Sequence, residues 1–471
     1  MSGLRERAAE HTSSLVVTAL SAAFGVALIQ IVGALALIIA SDDIGRRNSV
    51  QIALSLVAGV FIFISVYVGA VVTSNTFSTI IAGRTRTLAL MRLVGATAHS
   101  LRKQVGQEGL LVGIGGALLG AIIGWLCAAV GLRLAVSAGS VPDLPYAPVD
   151  PLIGLPVVCV VLATWGASWV GSRRVLAVTP LQATGAAVEP TREEAVRRPV
   201  RYTIAGVLFF GGIGALAAGV TLGQDDMGGF LVAFAGGVAS FSGVVAGAPV
   251  LLPPLLALVG KLWGRSPAAT LATHNALRYP ERSSRTAIGL VIGVTLVTTF
   301  SVAMQGYVDS LLKAQEGAPE MYAEMYEEAN TVMTITVTVF SALIGFSAVI
   351  AAFGMINNLS LSVIQRTREL GLLRALGFTR GQIRWMIVAE SAQMTVTAVG
   401  LGLILGVGYG WAGAQSLLGS ISGSSGINAP TLPLPVLATV VIGAAVLTVA
   451  ASVAPTRRAT AVTPVVALSH M

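Results

Sequence analysis

Charge is what this sequence is short of. Only 11% of its 471 residues are Asp, Glu, Lys or Arg, against 55% that are hydrophobic. A soluble globular chain carries about 25% charged residues. So few charges cannot cover a water-facing surface of this size, which excludes an ordinary soluble enzyme. Cysteine is scarce as well. Cys127 and Cys159 both lie inside long apolar runs, which argues against a disulfide framework and a thiolate metal site. The four histidines, His11, His99, His274 and His470, show no metal-ligand spacing. No Walker A pattern occurs, since Gly260-Lys261 lacks both the upstream glycine and the following Ser or Thr. No Ser/His/Asp or paired-carboxylate constellation can be placed. The chain is therefore read as non-catalytic, with no metal and no cofactor of its own.

Apolar runs and small residues are abundant. A membrane-spanning helix needs about 20 predominantly apolar residues. Ten segments qualify: 15–40, 52–74, 109–136, 151–171, 203–222, 229–259, 286–305, 331–356, 391–418 and 433–453. The fold class expected is an all-α polytopic membrane protein. The 54 glycines suit it, because small residues let membrane helices approach closely. The 229–259 run contains Pro253-Pro254, so its last part is expected to be kinked or interfacial.

The net charge of +8 is a topology signal, not a nucleic-acid signal. Basic residues cluster in alternate loops: Arg84 to Lys103, Arg173 to Arg201, Lys261 to Arg285, Arg366 to Arg384, and Arg457 with Arg458. The positive-inside rule puts these loops and both termini in the cytoplasm. The opposite loops carry Asp42, Asp43, Asp225, Asp226 and an acidic stretch from Asp309 to Glu328, with Arg46 and Arg47 as the exception.

An internal repeat is the most informative feature. RTRTLALMRLVG begins at Arg84 and RTRELGLLRALG at Arg366, and seven of twelve positions match at an offset of 282: Arg84/Arg366, Thr85/Thr367, Arg86/Arg368, Leu88/Leu370, Leu90/Leu372, Arg92/Arg374 and Gly95/Gly377. The same offset pairs Thr97 with Thr379, Arg102 with Arg384 and Glu108 with Glu390. SRRVLAVTP closes one copy at Pro180 and TRRATAVTP the other at Pro464. The plan is four helices, two linker helices and four helices again: a first unit over 1–184, a linker over 185–267 and a second unit over 268–471. An even number of spans separates the copies, so the repeat is parallel, about an axis along the membrane normal. Each repeated segment reads as a short helix stopped by a glycine in the left-handed C-cap position, Gly95 or Gly377. Its arginines flank an apolar stripe that a cytoplasmic partner or anionic lipid would meet.

RTRELGLLRALGFTRGQIRWMIVAES resembles the cytoplasmic segment of the FtsX/MacB-like ABC permeases, PTRRATAVTPVVAL resembles that family's unit ending, and NALRYPERSSRTA, 275–287, resembles the basic lead-in to its first helix. The resemblance covers about 13–184 and 268–471, and the whole plan resembles the ten-helix BceB-type members. It implies a permease subunit in the bacterial cytoplasmic membrane, served by two copies of a separate ABC ATP-binding subunit that holds ATP and Mg. It implies coupling helices carrying Arg84, Arg86, Leu88, Arg92 and Gly95 in one copy and Arg366, Arg368, Glu369, Leu370, Arg374 and Gly377 in the other. Thr87 stands where the second copy has Glu369, so the two ATPase contacts are expected to be unequal. The output implied is export or extraction of an amphiphilic compound (an antimicrobial peptide, lipid or lipoprotein). Alternatives are a signalling scaffold acting on an extracytoplasmic or membrane partner such as a cell-wall hydrolase, and an ion-coupled secondary transporter. Relatives of this type commonly carry a large extracytoplasmic domain, whereas the loops here, 41–51 and 306–330, are short.

Two further sets of acids stand out. Glu108 and Glu390 are expected to begin the third helix of each unit, where an acid is either functional or simply favoured by the helix dipole. Glu320, Glu324, Glu327 and Glu328 are expected on one face of a helix that extends the eighth span outward, as an extracytoplasmic contact for a cationic ligand or partner or as a solvated extension.

Overall fold

The computed structural model describes residues 2–41, 94–139, 141–172, 199–226, 228–262, 267–278, 280–316, 376–418 and 429–461, with scattered positions between 59 and 91 and at 373. Among the described residues the regular structure is helical. Its helices are α1 (Ser2–Ser41), α2 (Ala98–Ser137), α3 (Gly154–Gly171), α4 (Pro199–Leu222), α5 (Gly228–Leu262), α6 (Pro267–Arg278), α7 (Pro280–Glu316), α8 (Arg380–Leu418) and α9 (Leu434–Ala461). Seven are long and apolar enough to cross a membrane, and α9 contributes a shorter apolar stretch, Leu434–Val446. The protein is an all-α polytopic membrane protein. The expected spans 52–74 and 331–356 lie largely or wholly outside the described residues.

Two compact units form. In the first, α2 packs against both α1 and α3, and glycine sets the closeness of each contact. A Cβ at Gly116 would lie 2.7 Å from Thr18 Cβ, and one at Gly124 2.8 Å from Ala23 Cα; Gly120 abuts Ala19 and Ala22. On its other side α2 turns Gly113 to Thr164 and Gly109 to Ser168. Those hydroxyls donate within α3, to the carbonyls of Val160 (2.7 Å) and Trp165 (2.9 Å). The three helices meet at Ala22, Ala117 and Val160, all fully buried. Past α2 the chain turns at Gly139 and runs to a short 3-10 turn at Pro151–Ile153, capped by the Asp150 carboxylate. The Pro148 carbonyl fixes this loop, accepting from Trp125 Nε1 (2.6 Å) and Gln30 Nε2 (3.1 Å).

In the second unit α7 and α8 repeat the contact that α1 makes with α2. Gly402 faces Val294, Gly406 faces Thr298 and Gly410 faces Val302. Gly402 and Gly406 are the offset-282 counterparts of Gly120 and Gly124. Helices α4 and α5 form a hairpin whose glycines interlock, Gly212 against Ser240 and Gly243 against Phe209. Pro249, Pro253 and Pro254 lie inside α5, which nonetheless runs on to Leu262. Neighbouring side chains donate to its carbonyls: Arg201 Nε to Ala246 (3.1 Å), Ser284 Oγ to Ala248 (3.1 Å) and Gln393 Nε2 to Leu256 (2.6 Å). Tyr409 joins from α8 through a 2.8 Å bond with Ser240, and Thr395 and Thr448 link α8 to α9 through their hydroxyls at 2.6 Å.

Candidate functional site

The described part of each repeated segment is a turn feeding a long helix, and the same devices build it twice. Gly95 has φ +104° and Gly377 φ +98°, a region that favours glycine because a Cβ would crowd the carbonyl. The N–H of Ala96 donates to the Met91 carbonyl (3.0 Å) and that of Phe378 to the Leu373 carbonyl (3.0 Å). This is the six-to-one bond of a Schellman motif, with glycine at C′. Apolar packing closes each turn: Met91 and Ala96 against Leu101, and Leu373 and Phe378 against the cluster holding Ile383. The expected glycine stops are therefore present.

The next helix starts at once. Thr97 Oγ1 accepts from Ser100 N (3.2 Å), and Thr379 Oγ1 accepts from Gln382 N (3.2 Å). In the second copy Gln382 Oε1 also accepts from Thr379 N (2.9 Å), completing a capping box. In the first, Ser100 Oγ donates to the Thr97 carbonyl instead (3.1 Å).

Each turn also exposes an apolar side chain that sequence reasoning did not single out. Val94 is 91% exposed and Leu376 71%, and they are offset-282 counterparts. Their place just before the C′ glycine was the available signal. On α2, Arg102 lays its guanidinium over the Trp169 ring, 4.2 Å from the centroid. Its counterpart Arg384 is exposed.

The expectation for Glu108 and Glu390 needs correction. Neither begins a helix. Glu108 lies ten residues into α2 and Glu390 ten residues into α8, about 15 Å from each helix start. Hydropathy marks only the lipid-crossing part of a helix, whereas backbone bonding runs on through the polar residues before Glu108 and Glu390, which contain no proline. Gln104 Nε2 donates to Glu108 Oε1 (3.3 Å), and Glu390 is buried. Arg84, Arg86, Leu88, Arg92, Arg366, Arg368, Glu369, Leu370 and Arg374 lie outside the described residues, as do Glu320, Glu324 and Glu327.

A second charged group was not foreseen. Glu281, in the first turn of α7 and 6% exposed, pairs with Arg285 at 3.0 Å and lies 3.9 Å from Arg201 of α4. The sequence signal was a Pro-Glu pair opening a helix; its partner 80 residues earlier carried none.

Comparison with known proteins agrees with the duplication. The FtsX-like permease C-terminal family matches residues 59–180 and again 341–464, just over half of the chain. The chain belongs to the FtsX-like permease family. An uncharacterised ABC transporter permease of Bacillus subtilis, YknZ, is 32% identical over 118 residues, 24% of this chain and 28% of YknZ. A macrolide export ATP-binding/permease protein, MacB, from Bdellovibrio bacteriovorus is 30% identical over 115 residues, 23% of this chain and 18% of MacB. The Brucella abortus MacB is 27% identical over 148 residues, 30% of this chain and 23% of that protein. The matches thus span under a third of these relatives. This FtsX-like permease is a multi-pass membrane protein of the FtsX/MacB-like ABC transporter permease group.

Proposed function

We propose that the chain is the membrane subunit of an ABC system in the bacterial cytoplasmic membrane, driven by two copies of a separate ATP-binding subunit that carries ATP and Mg. The observation that carries this reading is the duplicated turn. Two equivalent Schellman turns each present an exposed apolar residue, Val94 or Leu376. Each also leads without a break into a helix of 40 or 39 residues. Such a helix is about 60 Å long, twice the hydrocarbon core, so it works as a lever between a docking turn and the bilayer. ATP-driven closure of the subunits would push on 84–94 and 366–376, and the levers would carry that push across the membrane. Both termini then face the cytoplasm, in keeping with the basic loops. The output is export or extraction of an amphiphilic compound, a class in keeping with an apolar chain whose relatives include macrolide exporters.

The test is purification of the tagged chain from its native membrane in mild detergent. An ATP-binding subunit should accompany it at about two per permease. Arg92→Glu with Arg374→Glu should release that subunit, as should Val94→Asp with Leu376→Asp, while the permease stays monodisperse. Absence of any ATPase under all nucleotide conditions would overturn the reading.

A further inference from the structure

The α4–α5 hairpin carries a groove that the permease reading does not use. Near one end a cavity of about 500 Å³ is lined by Val200, Arg201, Ile204 and Ala246. Further along, a second of about 460 Å³ is lined by Gly211, Ala215, Ala235 and Ala239 among others. On α4, Ile204, Gly211 and Ala215 recur at helical spacing, as do Ala235, Ala239 and Ala246 on α5, so both cavities open on one side of the hairpin. Glycine and alanine floor the second cavity beside Leu231 and Val232, and Val200 and Ile204 wall the first. From Arg201 to Ala215 the two cavities together span about 21 Å of α4, while one leaflet of the hydrocarbon core is about 15 Å deep.

Arg201 stands at the mouth, in the first turn of its span, with its side chain 38% exposed. Its Nε donates across the groove to the Ala246 carbonyl at 3.1 Å, and its Nη1 lies 3.9 Å from Glu281. Glu281 is shared with Arg285 at 3.0 Å. Glu281 thus lies between two guanidiniums, and Arg197 and Arg198 directly precede the helix in sequence. Positive charge at the water boundary above a leaflet-deep apolar trough is complementary to one kind of molecule.

We propose that this groove is a binding site for an anionic phospholipid, its phosphate held at Arg201 and one acyl chain laid along α4 and α5. The site does not depend on the ATP-binding partner, so failure of either reading leaves the other standing.

The full chain would be exchanged into detergent micelles doped equally with phosphatidylglycerol and phosphatidylcholine, and retained lipid counted by native mass spectrometry. Phosphatidylglycerol should be retained preferentially. Arg201→Gln should lower its retention about fivefold, the equivalent of about 1 kcal/mol for one juxtamembrane charge, and Arg201→Lys should keep most of it. Gly211→Leu fills the trough where an added Cβ meets nothing within 4 Å, and should lower retention of both lipids without altering the charge. Unchanged retention in both Arg201→Gln and Gly211→Leu would overturn the proposal. So would a doubled particle mass with no bound lipid, which would make the groove a contact between copies. If Arg201→Gln fails to fold, Arg201→Lys and Gly211→Leu decide alone.

Discussion

Replacing Gly95 or Gly377 by alanine isolates a backbone effect from a packing effect. At φ +104° and +98° an added Cβ meets nothing within 4 Å at either site, so nothing clashes. The cost is that of forcing an L-residue into left-handed backbone, about 1–2 kcal/mol. It falls on the turn whose defining bonds are Ala96 N to Met91 O and Phe378 N to Leu373 O. A cost of that size raises the open population of each turn about 5- to 30-fold. Hydrogen exchange of peptides spanning 90–101 and 372–383, read by mass spectrometry, should show faster exchange in each alanine variant at its own site. Asparagine at the same positions should do less, because it tolerates left-handed backbone. Gly206→Ala is the control: its Cβ also meets nothing, but its backbone is helical, where alanine is the better residue. Unchanged exchange in Gly95→Ala and Gly377→Ala, or equal loosening in Gly206→Ala, would refute the argument.

Leucine at Gly124 or Gly406 should separate helices that now touch through backbone, lowering the thermal midpoint of the detergent-purified chain by several degrees, as overpacking costs about 1–3 kcal/mol. Glu281→Gln leaves Arg285 and Arg201 without their carboxylate and should cost about 1–3 kcal/mol, a range kept low because Arg201 is partly solvated; removing Arg201 as well should recover part of that loss in a double-mutant cycle. Trp125→Phe removes one of two bonds to the Pro148 carbonyl, worth about 1 kcal/mol, and should speed proteolysis of the 141–150 loop, more so with Gln30→Leu added.

The sequence exposed most of what is repeated locally. Gly95 and Gly377 could be placed because helix breakers, flanking arginines and an apolar stripe agreed at two positions. Composition showed that glycine mattered for packing, but not that Gly120, Gly124, Gly402 and Gly406 share one contact, since periodicity does not tell which neighbour a helix face meets. Hydropathy misplaced the starts of α2 and α8 because a hydropathy window sees lipid, not backbone hydrogen bonds. The ion pair between Arg201 and Glu281 was illegible for a different reason: only the fold brings α4 onto the start of α7. The same holds for Gln393, whose partner is a backbone carbonyl of α5 that no side-chain pattern announces.

The two repeats have diverged where the linker hairpin attaches. In the second unit, α8 holds α5 with Gln393, bonded to the Leu256 carbonyl, and with Tyr409, bonded to Ser240. The offset-282 counterparts on α2 are Leu111, 71% exposed, and Cys127, also exposed. A glutamine amide and a phenol on a lipid-facing surface would be costly in a bilayer, where backbone and side-chain polar groups must find partners inside the protein. Leucine and cysteine at those positions are what a helix face without a hairpin requires. The glycine contacts and the Schellman turns, by contrast, are kept in both copies. The turn and the long helix behind it thus recur in both halves, while Gln393 and Tyr409, which bond α5, have the counterparts Leu111 and Cys127.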